Sequence, residues 1–206
     1  MGSVPAAAPR NARSRRTRAA LLDAARALLE QDGFEALTMA AAADRAGVTR
    51  RSVYLHFPSR AGLVGALFDH IAAQEGLGAS LERVWAAPDG PGALREWAAH
   101  VARFHPRLLA VDRAVERVYR ADPDAAGHRR RVHAAKLAHC RRLAVRLAGE
   151  GRLASPWTPG TAADMIFALT TSDLVESLIV ERRWPPGRLA RCLGDLLTAT
   201  FLERGQ

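Results

Sequence analysis

The sequence has almost no lysine, few aromatic residues and only two cysteines. Lys136 is the single lysine among 30 basic residues, and Phe, Trp and Tyr make up 6% of the 206 residues. Two cysteines do not form a disulfide framework in a chain of this length. Cys140 and Cys192 occur neither in a CxxC pair nor at a metal-ligand spacing with histidine. We therefore expect reduced thiols, and we expect neither a metal nor a cofactor.

Long apolar runs, strand patterns and catalytic motifs are also missing. No run approaches the about 20 apolar residues of a membrane-spanning helix, and residues 1–9 lack the basic-then-apolar layout of a signal peptide. No alternating stretch indicates strands. We find no nucleophile elbow, phosphate loop, HExxH motif or paired carboxylates. A cytoplasmic, all-α protein that is not an enzyme is therefore expected.

The composition favours a folded protein with a polyanionic partner. Hydrophobic residues make up 49% of the chain and charged residues 25%, as in globular proteins. The formal net charge of +9 favours nucleic acid over a membrane surface, because contacts to phosphates release counterions. A basic, soluble surface is the simpler alternative, since the excess of arginine and alanine also fits a GC-rich coding sequence.

Helical spacing and capping signals predict four helices in the first part of the chain. The first begins at Ser14 and ends before Gly33, a C-terminal stop. Thr38 caps a helix over 39–46, Thr49 caps one to about Phe57, and Ser59 caps one to about Glu75. Residues 1–13 are predicted to be a flexible basic arm. The arginines there and just after are either a solvated run or contacts to DNA, and they are Arg10, Arg13, Arg15, Arg16 and Arg18.

The rest of the chain is also predicted to be helical, with breaks at prolines and glycines. The segment 160–182 is apolar nearly all round, so we expect it to be buried within the domain or against a second subunit. The breaks include His105-Pro106. The predicted helices lie near 93–104, 107–120, 124–149, 160–182 and 187–203.

Residues 38–57 have the spacing of a helix-turn-helix. Ala43 is small enough for two helices to cross closely, and Gly47 tolerates the positive φ of a tight turn. Val53, one turn into the second helix, packs the pair together, and Val48 and Phe57 complete this small core. The second helix would enter the major groove with its N-terminus.

The second helix carries side chains suited to DNA. Arginine pairs bidentately with guanine O6 and N7, and hydroxyl groups suit phosphate contacts. The residues that it presents on exposed faces are Thr49, Arg50, Arg51, Ser52, Tyr54 and His56.

The motifs around these helices resemble the head of the TetR family of regulators. The order is D-G-F-x-x-L-T, A-x-x-A-G-V-T, and V-Y-x-H-F-x-S-R-x-x-L, from Asp32 to Leu63. The resemblance implies a homodimeric repressor that binds double-stranded operator DNA and releases it when a small molecule binds the body. It also implies that Thr38 caps its helix and touches phosphate, and that Tyr54, His56 and Arg60 grip the DNA backbone. It places Thr49, Arg50, Arg51 and Ser52 near bases or phosphates.

This organisation gives a DNA-binding domain at 14–58 and a body for ligand binding and dimerisation at 59–206. We expect an apolar or amphipathic effector, and a dimer seam on the last two predicted helices. Its apolar surface would come from Leu169, Leu174, Leu178, Leu189, Leu193, Leu196 and Leu197. The candidate pocket residues, each of which could equally be core, are Trp97, His100, Val101, Phe104, Val115, Tyr119, Met165, Leu169 and Ser172. The alternative is a ligand-independent or architectural DNA-binding protein.

Overall fold

The computed structural model describes residues 8–203, with side chains described from residue 12. Its described residues form ten α-helices, in agreement with the predicted all-α class. The helices are α1 (Ala8–Asp32), α2 (Met39–Arg45), α3 (Arg50–His56), α4 (Arg60–Gln74), α5 (Leu77–Trp85), α6 (Gly90–Val118), α7 (Pro123–Gly149), α8 (Pro159–Ala168), α9 (Ser172–Glu176) and α10 (Pro186–Phe201). A π-helical turn, Ser177–Glu181, continues α9. None of the described helices is long and apolar enough to cross a membrane.

The described chain divides into two compact units. Unit 1 runs to Ile71 and includes Arg113–His128, and unit 2 comprises Ala72–Asp112 and the chain from Arg129 onwards. Both α6 and α7 therefore contribute residues to both units. This division differs from the domain boundary that we expected after residue 58, because α4 as far as Ile71 and the turn between α6 and α7 belong to unit 1.

Unit 1 is built around the apolar face of α1. The predicted residues of that face are all buried: Leu21, Leu22, Ala25, Leu28 and Leu29. Gly33 ends the helix region with φ of +86°, as its position predicted. The helix begins at Ala8, six residues before the expected start, and residues 1–7 of the expected arm lie outside the described residues.

Unit 2 has its core where α6, α7, α8 and α10 meet. Trp97 and Val101 of α6, Leu143 of α7 and Ile166 of α8 are 0–2% exposed. Burying a side chain of this size stabilises the fold by roughly 1.5–3 kcal/mol, so these contacts hold unit 2 together.

Two predicted helix boundaries in unit 2 are wrong. We expected a break at His105-Pro106, but α6 continues through Pro106. We expected one helix over 160–182, but the chain leaves the helix after Ala168 and starts α9 at Ser172. The break lies at Thr171, whose backbone is extended with φ of −66° and ψ of 158°. Just before it, the Thr170 hydroxyl donates to the carbonyl oxygens of Ile166, at 2.7 Å, and Phe167, at 3.3 Å.

The leucines predicted to form a dimer seam do not share one surface. Leu189, Leu193 and Leu197 are 0–3% exposed within the core of unit 2, so they are not available to a second subunit. Leu196, by contrast, is 45% exposed. Leu169, Leu174 and Leu178 are half-buried against the same core. The amphipathic spacing of α10 explains the difference, because residues four apart share the buried face.

Candidate functional site

The helix pair α2–α3 has the geometry that the sequence predicted. Ala43 and Val53 are fully buried, and Gly47 adopts φ of +65° in the turn between the helices. The side chain of Thr38 caps α2, since its Oγ1 accepts from the Ala41 N–H at 3.1 Å. Thr49 caps α3 in the same way by accepting from the Ser52 N–H at 3.2 Å. Both predicted caps are confirmed.

The structure presents most of the predicted DNA-binding side chains on the surface of this pair. Thr38, Thr49, Arg50 and Arg51 are exposed, and Tyr54 is 56% exposed. Ser52 and His56 are half-buried. Neither Arg50 nor Arg51 has a hydrogen bond or an ion pair with any described residue, so both guanidinium groups are available to an external partner.

Arg60 is held by partners within unit 1. Its guanidinium donates to the carbonyl oxygens of Leu37, at 2.7 Å, and Phe34, at 3.1 Å. It also forms ion pairs with Asp122, at 2.7 Å, and Asp124, at 3.1 Å. Four of its five N–H donors are therefore used within unit 1, and Arg60 ties the start of α4 to the turn before α7. The expected grip on the DNA backbone stays a prediction.

The carboxyl group of Asp122 completes this tie. Partial burial alone would raise its pKa. The Ala125 N–H bond and the Arg60 guanidinium outweigh that effect and hold the pKa of Asp122 below its usual value. The carboxylate is thus ionised at neutral pH and is both the cap of α7 and a partner of Arg60.

Leu55 is a surface residue that our reading of the sequence missed. It is 78% exposed on α3, although it is apolar. Helical spacing could have identified it, because Val53 and Phe57 share the buried face and residue 55 lies opposite. An exposed aliphatic side chain on this helix is suited to contact a thymine methyl group.

The nine predicted pocket residues lie in different surroundings within the described structure. Val115 and Tyr119 belong to unit 1, whereas the others belong to unit 2. Trp97 and Val101 are core residues, Met165 is 39% exposed, and Leu169 packs against the core. Their common pocket stays a prediction. A cavity of unit 2 has a volume of about 190 Å³ and includes Phe104 of that set.

The walls of this cavity come from the turn before α5, from α5 and from the middle of α6. Its polar and aromatic lining comprises Glu75, Ser80, Arg83, Arg103, Phe104 and Arg107. The Ser80 hydroxyl accepts from Arg103 Nη2 at 3.3 Å and lies 2.9 Å from His100 Nδ1. Burial lowers the pKa of His100 to about 4, with a smaller contribution from the charge of Arg103.

Polar groups deeper in unit 2 are also held by internal partners. The Ser172 hydroxyl donates to Asp112 at 2.7 Å and lies 3.4 Å from His105 Nδ1. Lys136 donates to the carbonyl oxygen of Thr170, and burial lowers the pKa of the ammonium to about 8. In the described part of the chain, no group of three or more His, Cys, Asp and Glu residues is arranged to hold a metal ion.

Comparisons with known proteins agree with this geometry. Residues 21–67 match the family model described as bacterial regulatory proteins, tetR family. This segment contains α2, α3 and the residues that place them. No curated protein matches the sequence.

Solved structures share the fold over nearly the whole chain. NalD, the secondary repressor of the MexAB-OprM multidrug efflux pump in Pseudomonas aeruginosa, is 21% identical, with 93% of this chain and 100% of that chain covered and a TM-score of 0.71. SmeT, the repressor of the Stenotrophomonas maltophilia efflux pump SmeDEF, is 22% identical over 93% of both chains, with a TM-score of 0.67. A Rhodococcus protein assigned to the TetR-family regulators is 18% identical over 90% of this chain and 98% of that chain, with a TM-score of 0.71.

Proposed function

We propose that this chain is a TetR-family transcriptional regulator that binds a palindromic operator as a homodimer and represses transcription until a small molecule binds unit 2. The exposed face of α3 carries this proposal. Arg50 and Arg51 stand at its N-terminal end without internal partners, and the hydroxyls of Thr49 and Tyr54 flank them. Guanidinium groups at this end of a recognition helix contact base edges in the major groove.

Selection of bound sequences from a random DNA pool tests operator recognition. A homodimer with two copies of α3 about 34 Å apart would select two inverted half-sites separated by one helical turn. An Arg50→Ala, Arg51→Ala double variant is expected to lose that selection. Arg141→Ala, which removes an exposed arginine of α7, is the matched control and should select the same sequences. A pool without any enriched inverted repeat would contradict the proposal.

The dimer seam that we propose uses the exposed apolar side chains of the last helices. Met165 of α8 is 39% exposed and Leu196 of α10 is 45% exposed, which leaves apolar surface for a partner. An obligate seam would bury well over about 1,000 Å² in total. Sedimentation of Leu196→Glu is expected to show monomers. Val145→Glu, a charge placed on an equally apolar exposed site of α7, should remain dimeric.

For the effector, we propose an apolar or amphipathic small molecule held by helices of unit 2. The related fold of SmeT has been solved with triclosan, which supports a small-molecule ligand for this kind of body. The ligand shifts the balance between DNA-binding and released states only by its difference in affinity for them. A compound screen for release of the selected DNA tests this step.

A second candidate function is favoured by the size of the cavity. Its volume of about 190 Å³ is below the roughly 300–1,000 Å³ of sites that enclose drug-sized ligands. This size fits a ligand-independent DNA-binding regulator or one that takes a small ligand. Release of DNA by a compound decides for the sensor, and tight DNA binding that no compound changes decides for the alternative.

A further inference from the structure

The cavity between α5 and α6 has a strongly basic lining. Arg83, Arg103 and Arg107 contribute three guanidinium groups, and Glu75 contributes the single carboxylate. Even with Arg103 paired to Glu96, the lining keeps an excess of positive charge. Like charges gathered around one small cavity raise the local concentration of anions, because low-dielectric walls focus the field.

The three arginines differ in how far they are already engaged. Arg103 pairs with Glu96 at 2.6 Å and donates to Ser80, so its position is fixed from within the fold. Arg107 donates through Nη1 to the carbonyl oxygen of Glu75 at 2.9 Å, a contact that holds it without cancelling its charge. Arg83 is exposed and has neither a hydrogen bond nor an ion pair with a described residue. Donors therefore remain at the cavity for an added acceptor.

An apolar surface adjoins these charges. Phe104 forms part of the wall, and its ring stacks on the imidazole of His100 with centroids 5.5 Å apart and an interplanar angle of 15°. The cavity volume of about 190 Å³ admits a small molecule or the anionic end of a larger one. Guanidinium groups bind carboxylates through paired, charge-assisted hydrogen bonds, and an aromatic wall favours an apolar body attached to that carboxylate.

We infer that this cavity binds a small organic carboxylate, with the carboxylate on Arg83 and Arg107 and the apolar part against Phe104. Arg103 acts as the fixed support that Ser80 and Glu96 hold in place. This inference rests on the proposed function in naming the class of effector, although the binding step itself needs no DNA. It narrows the proposed class of effector from any apolar or amphipathic molecule to an organic anion.

Calorimetric titration of the full chain without DNA tests the inference. The probes are benzoate, its neutral isostere benzamide, and inorganic phosphate. We expect benzoate to bind at least about tenfold more tightly than benzamide, a difference of about 1.4 kcal/mol, because only benzoate accepts charge-assisted hydrogen bonds through an ionised carboxylate. Equal binding of benzoate and benzamide, no benzoate binding, or tighter binding of phosphate than of benzoate would overturn it.

Variants locate the binding in the cavity. Arg83→Ala and Arg107→Ala should each weaken benzoate at least about tenfold. Both change exposed side chains, so folding is not at stake. Arg95→Ala removes an exposed arginine of α6 that does not line the cavity. This control variant should bind benzoate like the unchanged chain. Unchanged affinity in both cavity variants would overturn the inference.

A second measurement separates this inference from the proposed function. Fluorescence anisotropy with the selected DNA shows whether the chain binds an operator and whether benzoate releases it. Benzoate binding without any operator binding would contradict the proposed regulator and leave the carboxylate site standing. Operator binding together with failed benzoate titrations would contradict the carboxylate site alone.

Discussion

On α3, Arg50 and Arg51 are exposed and have no partner among the described residues. On α6, His100 is 3% exposed, and its Nδ1 lies 2.9 Å from the Ser80 hydroxyl. The guanidinium groups of Arg50 and Arg51 lie in water. Burial lowers the pKa of His100 and so disfavours the charged form of its imidazole. Under the proposed function, the unpartnered side chains of α3 meet DNA, whereas the partnered His100 contributes to stability.

The largest expected effect is on stability and concerns the buried residue of this comparison, His100. The pKa of His100 is lowered to about 4 in the fold, from 6.5 in the unfolded chain. Between these values the unfolded chain binds more protons, so stability is fully present above pH 6.5 and is lost as the pH falls toward 4. At about 1.4 kcal/mol per pH unit, the loss reaches about 3 kcal/mol.

Chemical denaturation of the wild-type chain and of His100→Gln at several pH values checks this. The variant should lose less stability between pH 6.5 and 4.5 than the wild type. Between pH 7 and 8 the two should have the same slope, since His100 is then neutral in both states. Equal slopes below pH 6.5 would show that another group is responsible.

Substitution of Arg60 gives the next largest effect. Unlike Arg50 and Arg51, this arginine of unit 1 has internal partners. Arg60→Ala leaves two carbonyl oxygens and the Asp122 carboxylate without their donor, and should destabilise the fold by about 2–3 kcal/mol. Arg60→Lys keeps the charge but cannot reach all four acceptors, so it should recover only a part. Urea denaturation measures both. Unchanged stability combined with weaker, less salt-dependent DNA binding would instead support Arg60 as a phosphate contact.

Substitutions of Arg50 and Arg51 test the exposed surface of α3. Replacing the arginine that contacts guanine with alanine should weaken the free energy of DNA binding by about 1–3 kcal/mol. It should also relax the base preference at one position of each half-site. Tyr54→Phe should weaken all sequences alike, because phosphate contacts carry no direct sequence information. Titrations against operator variants at several salt concentrations distinguish these patterns. If neither alanine variant changes sequence preference, Leu55 and the rest of the α3 surface become the candidates for base contact.

The smallest expected effect concerns the cap of α3. Thr49→Ala removes the acceptor of the Ser52 N–H and should cost about 1 kcal/mol of stability. Thr49→Ser keeps the hydroxyl and should restore most of it. Thermal unfolding of both variants measures the difference. A loss of DNA binding without any loss of stability would assign Thr49 to phosphate contact alone.

Local sequence determined the helix pair α2–α3. The caps at Thr38 and Thr49, the small residue Ala43 and the turn at Gly47 each follow from backbone geometry within a few residues, so the sequence predicted them correctly. The apolar face of α1 was equally evident, because it depends on helical period alone.

Only the tertiary structure decided the roles of side chains whose partners are distant in sequence. Arg60 meets Asp122 across 62 residues, and Lys136 meets the Thr170 carbonyl across 34, so no local pattern shows that either is engaged. The same limit applies to α6, where packing overrides the penalty of Pro106. It applies also to Leu189, Leu193 and Leu197, since an apolar stripe shows that a face is buried but not whether its own unit or a second subunit covers it.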